Sequence, residues 1–277
     1  MQTLDLVEEF IQHCHYLCLS PATIRVYTWG LRRLVSQCPA LPCGGTELMW
    51  VLGDPQLANE SRRDLRRILG RFFGWASRIH HLPNPLEDIE PIRRRKLLPR
   101  VLTEIEIERL LDAACSRRDR ALLAIPLDNG LRVGEIANLT WADIGPDYIV
   151  AEGKTGRRVV PLGEEVRRSL IGLGDGHHIW LGRKGPLTVE GVKQIYRRLF
   201  QEAGIRGRKT GCHTLRHTFA TLYLKHGGNI RMLQEIMGHQ DLRTTTLYLH
   251  LAGVDVAVDH AKFSPIRTLG FAGRLAG

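Results

Sequence analysis

Between residues 211 and 250 the chain sets out His213, Arg216, His217, His239, Tyr248 and His250. Apolar residues recur at helical spacing from Thr214 to Lys225, through Leu215, Phe219, Leu222 and the Ala220/Leu224 pair. His213 and Arg216, three apart, therefore share one face near the start of a helix. That end of a helix favours anions, because unpaired N–H groups and the dipole both point there. Gly227-Gly228 ends the helix, and Asn229 caps a second one, Ile230 to Met237. His239 follows the helix-stopping Gly238, which puts an imidazole on a tight turn. Tyr248 is expected on a short Thr-rich segment that could carry a phenol to the same anion. The plain alternative is a pair of amphipathic helices with surface histidines. The combination favours a phosphate site.

Further candidates lie upstream. A helix from about Arg117 to Asn129 ends at Gly130, and Arg132 and Glu135 share a face at the start of the next. An arginine there could grip a phosphate while Glu135 orients it; the alternative is an ordinary surface ion pair, worth little. Tyr148–Glu152 and Arg158–Leu162 read as two strands, with Lys154 at the tip of the hairpin between them. Gly153-Lys154-Thr155 is not a P-loop, since Tyr148 stands where that motif needs glycine and no helix follows. His213 and His217 are spaced like zincin ligands but lack the accompanying glutamate.

The elements that must position these groups fall into two domains. Residues 1–88 read as a small helical domain. Thr3 can cap a first helix carrying Leu4, Val7, Phe10, Ile11 and Leu17. Ser20-Pro21 opens a second, with Ile24, Tyr27, Leu31 and Leu34 on one stripe. Residues 38–58 show only Met49–Leu52 as an apolar patch. A third helix, about Glu60 to Ile79, turns Leu65, Ile68, Leu69, Phe72 and Phe73 inward. Arg62, Arg63, Arg66, Arg67 and Arg71 form its outer stripe, more cation than solubility needs and suited to phosphates. Residues 89–100 are bounded by proline and carry Arg93, Arg94, Arg95 and Lys96, the pattern of a basic linker. Residues 101–277 open on a capping box, Thr103 to Glu106. Val166 to Leu173 reads as mainly helical, and Thr188 caps a helix to Gly204. The expected class is mainly α with a small antiparallel sheet. A net charge of +10 favours a polyanionic partner, most simply nucleic acid. No run of residues suits a membrane span or a secretory signal, so a cytoplasmic protein is expected. Its six cysteines are expected reduced, with Cys14 and Cys18 in the core rather than on zinc.

His213-x-x-Arg216-His217, Gly238-His239 and Tyr248-x-His250 resemble the C-terminal active-site boxes of the tyrosine recombinase, or phage integrase, family. Gly130 to Ile136 resembles that family's first arginine box, and Lys154 stands where its lysine is expected. The helical N-terminal unit resembles the family's core-binding domain. The resemblance spans nearly the whole chain and implies a site-specific recombinase of the simple Xer or integrase type. Such an enzyme works on double-stranded DNA at paired sites, as a homo-tetramer or paired dimers, through a Holliday junction. Arg132 and Arg216 would neutralise the scissile phosphate and His239 would add a hydrogen bond. Tyr248 would attack to give a 3′-phosphotyrosyl link, His213 would take the phenol's proton, Lys154 would protonate the leaving oxygen, and Glu135 would buttress the site. No metal or other cofactor is called for, because the covalent link conserves the bond energy. A type IB topoisomerase-like relaxing enzyme, or an inactive or regulatory DNA-binding protein, are the alternatives.

Overall fold

The structure, a computed structural model, describes residues 1–93, 98–153, 156–174, 176–182, 185–207, 210–253 and 262. The chain divides into two compact units, Met1–Lys96 and Leu97–Gly277. The N-terminal unit holds four helices: α1 (Thr3–Tyr16), α2 (Pro21–Gln37), α3 (Gly45–Gly53) and α4 (Asn59–His80). Ser20 caps α2 as its sequence predicts, its hydroxyl accepting from Thr23 N, with Pro21 at the first helical position. Phe10, Leu31, Leu34, Leu65, Ile68, Leu69 and Phe72 bury their side chains together. Helices α2 and α4 approach at Gly30, where a Cβ would stand 2.9 Å from Ile68 Cδ1, so a larger residue would force the Ile68 side chain to shift.

Four local expectations change. Thr3 is the first helical residue rather than the cap, and its buried hydroxyl donates to Cys38 O. The inward face of α1 is Leu6, Val7, Phe10 and Cys14, while Leu4 and Leu17 are exposed. Cys18 lies beyond the end of α1 and is exposed, so only Cys14 of that pair is core. The apolar patch at 49–52 belongs to α3, which buries Leu48, Val51 and Leu52 and leaves Met49 and Trp50 outside.

The five arginines of α4 do not form one outer stripe. Arg62 Nη2 donates to Asp54 O, and Arg66 Nη2 donates to Leu86 O and Ile89 O. Those two guanidiniums stitch loops to the helix. Arg63 and Arg67 make exposed pairs with Glu60 and Asp64, and Arg71 is exposed. Of the basic linker residues, Arg93 is exposed, while Arg94, Arg95 and Lys96 lie outside the described residues.

The C-terminal unit runs α5 (Glu104–Ala113), α6 (Arg117–Asp128), α7 (Val133–Asn138), β1 (Tyr148–Gly153), β2 (Gly156–Pro161), α8 (Glu164–Leu170), β3 (Leu181–Gly182), β4 (Gly185–Pro186), α9 (Val189–Glu202), α10 (Cys212–Lys225), α11 (Ile230–Met237) and α12 (Leu242–Ala252). The fold is thus mainly α with small antiparallel pairs. Thr103 and Glu106 form the expected capping box, and Thr188 and Asn229 cap α9 and α11. Strands β1 and β2 pair antiparallel, with Ile149 opposite Val160 and Ala151 opposite Arg158. The two-residue pair β3–β4 has no periodic signal and was not expected. Leu122, Leu199, Phe200 and Leu215 fill the core beside two buried aromatics whose polar ends are satisfied. Trp180 Nε1 donates to Ile136 O at 2.5 Å and the Tyr196 hydroxyl to Leu122 O at 2.6 Å. Tyr196, a second phenol of this unit, is thereby locked in the core. Among the described residues no helix is long and apolar enough to cross a membrane.

Because Arg66 satisfies two backbone carbonyls, Arg66→Ala should cost about 1–3 kcal/mol of unfolding free energy in a urea titration of the full chain. Arg71→Ala should stay within about 0.5 kcal/mol. Equal losses would put both side chains in the same environment.

Candidate active site

The site begins at the turn after α6. Gly130 has φ +62°, and a Cβ there would meet the Phe219 ring at 2.6 Å, so only glycine fits. The turn delivers Arg132 to the N-cap of α7. Glu135, three residues on, accepts from Arg132 N and from Arg132 Nη1, both at 2.8 Å. Glu135 is not a surface partner: its side chain is 1% exposed. It also takes a bidentate pair from Arg158 of β2, at 2.7 and 2.9 Å.

The C-terminus of α11 holds the same guanidiniums from the other side. Ile236 O accepts from Arg158 Nε at 2.8 Å, Met237 O from Arg216 Nη2 at 2.5 Å, and Gly238 O from Arg132 Nη2 at 3.1 Å. Three consecutive carbonyls at the negative end of a helix thus each take a different arginine. Gly238 is left-handed, and a Cβ on it would stand 2.9 Å from Arg158 Cδ. Arg216, on the second turn of α10 and 4% exposed, donates through Nη1 to Gly130 O. Its Nη2 also lies 3.2 Å from His239 Nε2, while His239 Nδ1 lies 3.0 Å from the buried Thr245 hydroxyl.

The Thr-rich segment that carries Tyr248 is helix α12; Asp241 caps it, accepting from Arg243 N. The phenol is buried, 2.8 Å from His217 Nδ1, and its ring stacks over His239 at 6.4 Å between centroids.

These contacts set the protonation states. Burial works to raise the Glu135 carboxyl, but hydrogen bonds and charge from Arg158 and Arg132 hold it at about 2. Burial beside Arg132 lowers Arg216 to about 10, which leaves it charged at neutral pH. Burial, then Arg216, Arg132 and Arg158, push His239 down to about 4, so its imidazole is neutral. Burial raises the Tyr248 phenol while Arg216 and Arg132 pull it back. Three guanidiniums around one carboxylate leave a surplus of positive charge beside a buried phenol. An anionic phosphodiester complements that surplus and offers the phenol an electrophile.

Arg132, Glu135, Arg216, His239 and Tyr248, all expected here from sequence, come together. Lys154 lies outside the described residues. His213 is exposed on the first turn of α10 and lines an open pocket with His217, Cys212, Lys193 and Arg197. The side chain hydrogen-bonded to Tyr248 is His217, one turn further along the helix than His213. Arg158 and Thr245 were missed altogether. The signal for Arg158 was its register opposite the fully buried Ala151. Tyr223 packs against Phe219 at 5.7 Å and is only half-buried.

Residues 100–253 match the phage integrase family, and the chain belongs to that family. It is 31% identical to tyrosine recombinase XerD of Ralstonia nicotianae over 234 residues, covering 76% of this chain and 75% of the relative. It is also 31% identical to tyrosine recombinase XerA of Thermococcus kodakarensis over 273 residues, covering 93% of each. In fold it resembles a lambda integrase tetramer bound to a Holliday junction, with a TM-score of 0.79 at 19% identity, covering 92% of this chain and 79% of the other.

His239 is held below its ordinary 6.5, so as pH falls from about 6.5 to 4 the unfolded chain takes up a proton that the folded site refuses. Stability is therefore lost on acidification through that window, with a further loss from Glu135 between 4.5 and about 2. Thermal unfolding of wild type should fall more steeply between pH 6.5 and 4 than that of His239→Gln. Parallel curves would mean that the imidazole is not desolvated.

Proposed function

We propose that this chain is a site-specific DNA recombinase that cleaves and rejoins double-stranded DNA through Tyr248. The observation that carries the reading is the buried phenol set against a surplus of guanidinium charge. The family relatives named above are tyrosine recombinases, which supports the same reaction here. Arg132 and Arg216 bind the non-bridging oxygens of the scissile phosphate and neutralise the charge that grows on them. His239 adds a neutral donor, and Glu135 with Arg158 holds Arg132 in place. The Tyr248 oxygen attacks phosphorus as its proton passes to His217, in the role the sequence suggested for His213. The bond from phosphorus to the 5′ oxygen breaks, and Lys154, which joins β1 to β2 in sequence, supplies the proton that oxygen needs. Rejoining reverses each step, with the 5′ hydroxyl of a second duplex as nucleophile, so no external energy source enters.

Residues 1–88 act as the core-binding domain, 89–100 as the linker and 101–277 as the catalytic domain. Arg63, Arg67 and Arg71 of α4 and Arg93, with Arg94, Arg95 and Lys96, contact the DNA backbone. Arg62 and Arg66 contribute less, being committed to backbone carbonyls. The exposed pairs of Arg63 and Arg67 with carboxylates are weak and exchange readily for phosphate. Four protomers synapse two sites, as the lambda integrase assembly on a Holliday junction suggests.

Covalent trapping tests this reading. Wild type and Tyr248→Phe are incubated with nicked duplexes carrying randomised half-sites, in EDTA and without ATP, and denatured adducts are sequenced. Adducts are expected from the wild type alone and should share a half-site sequence. Adducts that persist in the Phe variant would assign the nucleophile elsewhere, and sequence-specific binding without any adduct would favour a DNA-binding role alone.

A further inference from the structure

We infer that Thr245 is a positioning residue that sets which ring nitrogen of His239 carries the proton, and that its hydroxyl reverses hydrogen-bond direction when a phosphate enters the arginine cradle. The inference rests on the phosphoryl-transfer reading above and adds to it a device for switching a donor on.

The argument starts from what each group can donate. A guanidinium only donates, so the 3.2 Å contact between Arg216 Nη2 and His239 Nε2 makes Nε2 an acceptor. A neutral imidazole carries one N–H. That proton therefore sits on Nδ1 in the free site and is donated to Thr245 Oγ1 at 3.0 Å. In this state Nε2 has nothing to give a phosphate. To donate there, the ring must carry its proton on Nε2, which leaves Nδ1 a bare acceptor in a buried position. A hydroxyl is suited to both states, because it accepts in one and donates in the other. Thr245 is wholly buried, so no solvent can replace it at Nδ1. Its neighbour Thr246 turns its own hydroxyl back to Arg243 O, in the ordinary manner of a helix threonine, whereas that of Thr245 reaches across to the histidine.

The alternative way to make both nitrogens donors is protonation, and the surroundings oppose it. The charged and titratable groups facing His239 are Arg216, Arg132, Arg158, His217 and Tyr248, three of them cations. Tautomer exchange avoids the added charge: when the Gly238–His239 turn opens, water takes the proton from Nδ1 and returns one to Nε2, and the ring closes again neutral against Thr245. The incoming phosphate favours the exchange by drawing the guanidinium of Arg216 to its own oxygens. Thr245 and Tyr248 are three apart on α12 and so lie on one face. The contact that sets the tautomer thereby also sets the nucleophile's helix against the Gly238–His239 turn.

The test uses the full chain, Thr245→Val, which keeps the shape and removes the hydroxyl, and Thr245→Ser, which keeps the hydroxyl. Long-range histidine 15N spectra at pH 7 read the tautomer, with His239 assigned by its loss in His239→Gln, and inorganic phosphate as the probe. Wild type and Thr245→Ser should show the Nδ1–H form alone and shift to the Nε2–H form with phosphate. Thr245→Val should show no clean shift. In covalent trapping, Thr245→Val should slow adduct formation by about 100-fold, since a misplaced imidazole proton alone can cost far more. Thr245→Ser should stay within about threefold of wild type and both variants should bind the trapped half-site normally. A wild-type ring that keeps one tautomer with and without phosphate overturns the inference. So does a Ser variant as slow as the Val variant, which would signal packing alone. Should wild type trap no DNA, the recombinase reading fails while the spectra still decide the tautomer.

Discussion

Three successive carbonyls at the C-terminal end of α11, the last of them from its cap Gly238, and the carboxylate of Glu135 together fix three guanidiniums in one place. Arg132 bridges Glu135 and Gly238 O, Arg158 bridges Glu135 and Ile236 O, and Arg216 bridges Gly130 O and Met237 O. Through these bonds the start of α7, strand β2, the second turn of α10 and the end of α11 meet at one point. Gathering cations this closely is unfavourable unless each is satisfied and the surplus charge is answered. Within the protein the carbonyls and one carboxylate do part of that work. On the proposed reading a phosphodiester completes it. The site is thus built as half of an ion cluster, with the substrate as the other half.

The situation of Tyr248, the proposed nucleophile, follows from the same cluster. Tyr248 is buried, which disfavours its phenolate, while Arg216 and Arg132 favour it. Its hydrogen bond to His217 gives the proton somewhere to go at the moment of attack. His239 stays neutral because it is buried and three cations lie close to it, so on the proposed reading it acts as a directional donor rather than as a fourth charge. Helix α12 is held to the cluster at Thr245 and at Tyr248, one turn apart, which ties the phenol's position to the state of the phosphate site.

Much of this could be read from sequence because it is local. The caps at Ser20, Thr103, Thr188 and Asn229, the stop at Gly238, and the hairpin around residues 153–156 each depend on a few adjacent residues. The spacing of Arg132 and Glu135 brought those two side chains together as expected, whereas His213 and Arg216, three apart, part company, one exposed and the other buried. What sequence could not give is which partner lies across the fold. Arg158 looks like half of an Arg-Arg pair on an exposed strand until its register turns it toward Glu135, 23 residues away. His213 and His217 are equivalent candidates until α12 packs beside one of them. The basic face of α4 looked uniform because nothing in its own periodicity reveals that loops bring backbone carbonyls to Arg62 and Arg66. Helix α3 was hidden because its flanks are rich in glycine and proline and its apolar run is short.

The central claim is that Arg216 serves by answering the negative charge of the scissile phosphate. The most direct test compares adduct formation on an ordinary half-site and on one whose scissile phosphate is a neutral methylphosphonate, in wild type and in Arg216→Ala. Loss of Arg216 should slow cleavage of the phosphodiester by about 10²- to 10³-fold, the effect of removing one donor from a preorganised anion site. On the methylphosphonate, with no charge to neutralise, the same substitution should cost several-fold at most. Equal losses on the two substrates would contradict the account and leave Arg216 a structural tie between Gly130 and Met237.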